Sequence, residues 1–213
     1  MSKIDELIEE LCPEGVPWQP LLEVCQEILV PMRDRPKDLS GEIPWCRIED
    51  IDRRRLAGSK MGRGVSLKVV KEMNLKVFPA GTVVASCSAS LGTYAIAEQP
   101  VITNQTFIGL VCGPKIENKY LLYLLTTMTG AIKKLASTGT IPYVSREKFE
   151  RLLVPVPPLE VQREIVSILD KFTQLEAELE AELEARRIQY EVTRDRLLDF
   201  DGDLSSHPLG EMI

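Results

Sequence analysis

The chain has 213 residues, 44% of them hydrophobic and 27% charged, with a formal net charge of −6 at pH 7. Such a composition supports one domain of ordinary size plus an extended element, and it excludes a disordered chain. No apolar run reaches bilayer length, and the acidic start Met1-Ser2-Lys3-Ile4-Asp5-Glu6 lacks the basic and apolar parts of a signal peptide, so a cytoplasmic protein with no membrane partner is expected.

Residues 3–11 predict a short amphipathic helix, with Ile4, Leu7, Ile8 and Leu11 on one face. Pro13-Glu14-Gly15 breaks it, and Val16-Pro17-Trp18-Gln19-Pro20-Leu21 enters the main domain. The alternation in residues 43–51 predicts a strand, followed by a charged, glycine-rich stretch from Asp52 to Gly64. A short helix is expected over 66–74, with Ser66 as its N-cap. Pro79-Ala80-Gly81 turns into a buried-type strand at 82–86, and further strands are expected at 94–97 and 106–112. Residues 117–136 predict a helix, residues 145–151 a shorter one, and residues 152–156 a strand running into Pro157-Pro158.

From Leu159 to about Phe200 the chain contains no Pro or Gly and is rich in strong helix formers. Such a helix reaches roughly 60 Å. Ile165, Ile168, Phe172, Leu175 and Leu179 follow the spacing of a coiled-coil seam. The phase then slips at Glu182, and Leu183, Tyr190 and Leu197 continue the seam in a shifted register. A stripe of this length needs either a partner helix or its own domain to pack against.

No phosphate loop, dinucleotide fingerprint, GxSxG elbow or methyltransferase-type Asn/Asp-Pro-Pro-aromatic tetrapeptide occurs, and the only histidine, His207, lies in the tail. The five cysteines, Cys12, Cys25, Cys46, Cys87 and Cys112, are scattered and form no CxxC pair, so reduced thiols and no metal site are expected. The sequence carries no catalytic constellation.

Charge is unevenly distributed. Residues 1–30 carry a net −6, residues 31–151 a net +8, and residues 152–213 a net −8. A basic middle can neutralise phosphates inside an acidic chain. Two clusters supply it: Arg33, Arg35 and Lys37, then Arg47, Arg53, Arg54, Arg55, Lys60 and Arg63. The planar fork of arginine fits a phosphate or the edge of guanine. Two compact polar loops are further candidates, one carrying Ser88 and Ser90, the other Thr138, Thr140 and Tyr143. Each has an ordinary structural alternative as a turn or a cap on the core.

The stretch Val154-Pro155-Val156-Pro157-Pro158-Leu159-Glu160-Val161-Gln162-Arg163-Glu164-Ile165 closely resembles the P-x-P-P-hydrophobic-x-x-Gln-x-x-Ile boundary of type I restriction–modification specificity subunits. Residues 15–21, 43–51 and 78–84, Asn104-Gln105 and residues 139–145 also fit that family, so the resemblance covers most of residues 15–200. It implies an α+β target recognition domain over 15–158 and a conserved spacer helix over 159–200, preceded by the amphipathic helix within 1–14. Typical members carry two recognition domains and two helices. Here one of each is seen, and Pro208-Leu209-Gly210-Glu211 in the tail 201–213 resembles Pro20-Leu21-Leu22-Glu23, as though a second unit began there.

The resemblance therefore implies a half-length, non-catalytic specificity subunit that binds one half-site of a bipartite duplex DNA target. Its helix is expected to form an antiparallel coiled coil in a homodimer, through Ile165, Ile168, Phe172, Leu175, Leu179, Leu183, Tyr190 and Leu197. Modification (methyltransferase) subunits and a restriction/motor subunit are the implied partners. S-adenosylmethionine, ATP and Mg belong on those partners, and no cofactor is expected on this chain. Two other readings stay open: a stand-alone DNA-binding regulator, and a coiled-coil adaptor that never touches DNA.

Overall fold

The computed structural model describes residues 3–32 and 34–199; Arg33 and the tail with its partial repeat and His207 lie outside them. In chain order the elements are α1 (Lys3–Leu11), β1 (Trp18–Pro20), α2 (Leu21–Val24), β2 (Cys25–Leu29), β3 (Ile43–Cys46), β4 (Arg55–Leu56) and β5 (Gly64–Val65). They continue as α3 (Leu67–Glu72), β6 (Val83–Ser86), β7 (Tyr94–Ala97), β8 (Ile102–Thr103), β9 (Phe107–Cys112), α4 (Asn118–Thr127) and α5 (Thr129–Lys134). The last three are α6 (Arg146–Glu150), β10 (Leu153–Pro155) and α7 (Leu159–Leu198). This is the expected α+β architecture with a long C-terminal helix. Among the described residues, no helix is long and apolar enough to cross a membrane.

The central sheet has the order β2-β9-β6-β7-β4, antiparallel except for the β7–β4 pair. Both of its faces are buried, which is why β6 and β9 read as continuous apolar runs rather than alternating ones. Val83, Ala85, Ile108 and Leu110 join Leu21, Val24, Leu121, Leu125 and Phe149 on the helical side. Val84, Ala95, Ala97 and Phe107 join Leu29, Cys46, Leu56 and Phe78 on the other. Gly109 in β9 lies directly under Phe78: a Cβ there would stand 2.8 Å from the ring. A small sheet, β5-β3-β8, packs Trp45, Val65 and Ile102 with Leu75 and α3. Gly64 closes its loop, because a Cβ at this position would lie 2.0 Å from the Gly41 carbonyl oxygen.

Several expected elements take a different form. The strand expected over 43–51 ends at Cys46, and Ile48–Asp50 turn into a 3-10 helix. Buried Asp50 causes this, since its carboxylate accepts the Arg47 N–H at 2.7 Å and the Lys60 N–H at 2.7 Å, folding the chain back on itself. The helix expected over 117–136 divides at Met128 into α4 and α5. The strands β1 and β2 were not anticipated; β1 pairs with β10 across more than a hundred residues. Ser66 caps α3 through Val69 N–H at 3.4 Å, as expected. All five cysteines are free thiols. Burial pushes Cys25, Cys46 and Cys112 up to about 12 and Cys87 to about 11, so they stay protonated near neutral pH.

The chain forms two units, residues 1–166 and the part from Ser167 onward. The first turns of α7 belong to the first unit, where Val161 and Gln162 are fully buried. Gln162 uses its whole amide: Nε2 donates to Lys115 O and Pro157 O, both at 2.8 Å, and Oε1 accepts the Glu117 N–H at 2.9 Å. Tyr120 donates its hydroxyl to Pro155 O at 3.0 Å, and Arg163 pairs with Glu117 at 2.7 Å. On the other side Lys3 of α1 pairs with Glu164 at 2.6 Å.

Replacing Gln162 removes the partner of one buried backbone group, Pro157 O, and of two part-buried ones, Lys115 O and Glu117 N–H, at about 1–3 kcal/mol for a group left unsatisfied. Gln162→Ala is expected to lower unfolding free energy by roughly 3 kcal/mol or more in urea titrations. Gln162→Glu should be at least as damaging, because its carboxylate would meet two carbonyl oxygens.

Candidate nucleic-acid interface

Trp45 in β3 is buried, with its ring serving as a platform. The Arg35 guanidinium stands 5.0 Å and the Arg47 guanidinium 5.5 Å from its centroid. A cation–π contact of this kind restrains a guanidinium without neutralising it. Both arginines border a cleft of about 190 Å³, whose floor includes Trp45, Leu75 and Ile102 and whose far wall is Thr103–Thr106. The wall is stiff: Phe107 N–H donates to Asn104 O, Thr106 Oγ1 to Asn104 Oδ1 at 2.7 Å, and Asn104 N–H to Cys46 O.

Next to this cleft lies a second hollow of about 480 Å³, bordered by Val30, Ser88 and Tyr143 and sharing Pro31, Gln105 and Thr106 with the first. The two small-residue loops meet here. Ser88 and Tyr143 form an antiparallel bridge, and Val144 N–H donates to Cys87 O at 2.9 Å. Ala89 takes a left-handed φ of 55° between them. Ser90 sits in the tight turn that follows, and Thr138 and Thr140 are exposed in the loop before Tyr143. Arg35, Arg47, Ser88 and Tyr143 thus border one continuous pair of hollows joined at Gln105.

The remaining cations are dispersed, so the linear cluster from Arg47 to Arg63 is not one patch. Arg47 and Arg63 share Glu49 at 3.1 and 3.8 Å. Arg55 forms an ion pair with Glu98. Arg54, at φ 66°, lies over the Tyr123 ring at 5.7 Å. Arg53, Arg55 and Lys60 border a third hollow of about 500 Å³ that also contains Asp50, Asp52 and Glu98. Its charges largely cancel, and the Lys60 ammonium donates to Ile51 O at 3.2 Å. Lys37 is exposed in the 31–40 loop. Reasoning from sequence missed Trp45 as a platform, Gln105 as the joint and Thr103 in the wall; an aromatic two residues before an arginine was the only visible cue. Among the described residues, no group of three or more His, Cys, Asp or Glu is placed to hold a metal ion.

On α7 the seam divides. Ile165 is partly buried against the main core, and Ile168 is half-buried. Phe172, Leu175, Leu179, Leu183, Tyr190 and Leu197 are all more than half exposed.

Comparison with known proteins matches residues 23–185 to the family model described as the type I restriction modification DNA specificity domain. The chain is 29% identical over 165 residues to the type I restriction enzyme MjaIX specificity subunit of Methanocaldococcus jannaschii, covering 76% of this chain and 38% of that one. It is 32% identical over 222 residues to the EcoprrI specificity subunit of Escherichia coli, covering 95% and 55%. The crystal structure of the HsdS subunit from Thermoanaerobacter tengcongensis superposes with a TM-score of 0.63 at 22% identity, over 84% of this chain and 44% of that one. The chain therefore spans between about two fifths and just over half of these relatives.

Asp50 is the residue on which the Arg47–Lys60 excursion turns. Asp50→Ala leaves two backbone N–H groups without their acceptor, and a loss of roughly 2–4 kcal/mol is expected in denaturant unfolding.

Proposed function

The chain belongs to the type I restriction–modification DNA specificity domain family, and from that premise we propose that it is the DNA-reading component of such a system. In this reading the first unit binds one half-site of a bipartite duplex target, in the cytoplasm. The second unit pairs α7 with its equivalent in a second copy. The assembly recruits modification subunits, which carry S-adenosylmethionine, and through them a restriction/motor subunit that uses ATP and Mg. This chain supplies recognition and no catalysis.

The observation that carries the reading is a family-matched domain continuing into a helix whose apolar side chains are exposed. Their spacing supports an antiparallel partner. Phe172, Leu175, Leu179, Leu183, Arg186, Tyr190, Arg194 and Leu197 are separated by 3, 4, 4, 3, 4, 4 and 3 residues. That series is the same in both directions. Two such helices laid antiparallel therefore match Phe172 with Leu197, Leu175 with Arg194, Leu179 with Tyr190 and Leu183 with Arg186. The arginine stems can lie along the apolar seam with their charged ends in water. The 3-4-4 steps are an eleven-residue repeat, which relaxes the left-handed supercoil locally.

Charge favours the same orientation. Residues 176–184 carry five glutamates and no cation, whereas residues 186–196 carry four arginines against Glu191 and Asp195. Parallel pairing stacks glutamates on glutamates; antiparallel pairing lays residues 176–184 over 185–193, which bring Arg186 and Arg187 against the glutamates with Glu191 alone of the same sign.

Light scattering is expected to give a dimer, and Leu179→Asp a monomer whose first unit remains folded. Mixed Phe172→Cys and Leu197→Cys chains should cross-link under mild oxidation, whereas neither variant alone should. Self-cross-linking of each would indicate parallel pairing, and a monomeric wild-type chain that neither joins a modification subunit nor selects a DNA sequence would overturn the function.

A further inference from the structure

Among the described residues, three cations border the first cleft: Arg35, Arg47 and Lys76. Arg47 is engaged by Glu49, Lys76 is a point charge on a flexible stem, and Arg35 is a planar fork set over an aromatic ring. Its guanidinium lies over Trp45, and among the described residues no hydrogen bond or ion pair uses its N–H groups. Asp34 also borders the cleft without forming an ion pair with it. Arg35, itself exposed, is thus a planar donor fork restrained over an aromatic ring, with no protein acceptor among the described residues, at the edge of a concave site.

Thr103 also lines this cleft, but its Oγ1 is buried out of a ligand's reach. Arg35 is therefore the polar group to consider, and it stands beside an apolar floor that includes Trp45, Leu75 and Ile102. A donor fork set against apolar surface suits the edge of a heterocycle better than a phosphate, which needs only charge.

We infer that Arg35 is a specificity-determining residue that reads the O6/N7 edge of a guanine, with its plane set by Trp45. The inference rests on the DNA-reading role proposed above. Immobilisation is what separates reading from attraction. A flexible cation finds a phosphate in any sequence, whereas a fork of fixed plane discriminates by matching two acceptors side by side. Lysine keeps the charge but has neither the fork nor the plane.

The test is selection from a duplex pool with randomised positions, using the full-length chain, its Arg35→Lys variant and its Arg35→Ala variant at low salt. The wild-type chain should select G·C at a defined position. Both variants should lose that preference by about tenfold or more while keeping preferences elsewhere. Arg35→Lys should also retain the wild-type salt dependence, since the charge is unchanged. Two outcomes overturn the inference alone: an unaltered preference in both variants, or a lysine variant that selects like wild type while the alanine variant weakens all sequences equally. A wild-type chain with no sequence preference overturns the DNA-reading role and this inference with it.

Discussion

Three hydrogen bonds of one buried side chain, Gln162, hold together the parts on which the rest depends. Its amide joins the Pro157 carbonyl to the Lys115 carbonyl and Glu117 N–H, tying the 115–117 segment to the start of α7. Proline cannot donate a backbone hydrogen bond, so the Pro157-Pro158 bend cannot be held by the usual ladder. A carboxamide is the side chain that supplies two donors and an acceptor in one plane. Leucine would fill the space but satisfy nothing, and glutamate would present the wrong polarity. The start of α4, the end of β10 and the first turns of α7 are fixed by this residue, with Tyr120, Arg163 and Glu164 adding bonds around it.

From that anchored side the central sheet carries order to the candidate interface. β9 is packed on both faces, and the turn before it, Asn104–Thr106, forms the wall shared by the two hollows. β6 leads directly into the Ser86–Thr93 loop, whose bridge to Tyr143 ties in the loop before α6. Arg47, Ser88 and Gln105 therefore lie within a few residues of buried strands, whereas Arg35 stands in the loop between β2 and β3 and is restrained by Trp45. Side chains on such supports lose little further conformational freedom when they meet a partner.

Much of this was legible before the structure. The helix α1, the buried strands β6, β7 and β9, the Ser66 cap and the long helix all follow from local periodicity and capping chemistry. The glutamine was visible as part of a motif, though its chemical task was not. What local sequence could not show depends on distant partners. β1 exists because β10 pairs with it, and residues 48–50 leave the strand because Asp50 collects the N–H of Lys60. The basic run looked like one patch because it is contiguous in sequence, yet Glu98, 43 residues from Arg55, takes one member and Glu49 takes two others. The symmetry of the seam was present in the spacing, but a heptad template turns it into a slip.

The dispersal of the arginines bears on why such a reader would be doubled. A cation already paired with glutamate releases fewer counterions when it meets a phosphate, because part of its charge is spent within the protein. A single domain in which several arginines are paired internally gains less affinity from electrostatics than its sequence charge suggests, and a short half-site offers few base edges. Under the proposed pairing, the second domain binds at an effective concentration set by the α7 pair rather than by bulk solution. Two modest readers held at fixed spacing discriminate between whole sites more sharply than either does alone. A mismatch in one half then costs the avidity as well as the contact. On this argument the net acidic ends of the chain are compatible with DNA recognition: selectivity comes from geometry, and excess positive charge would only raise binding to every sequence.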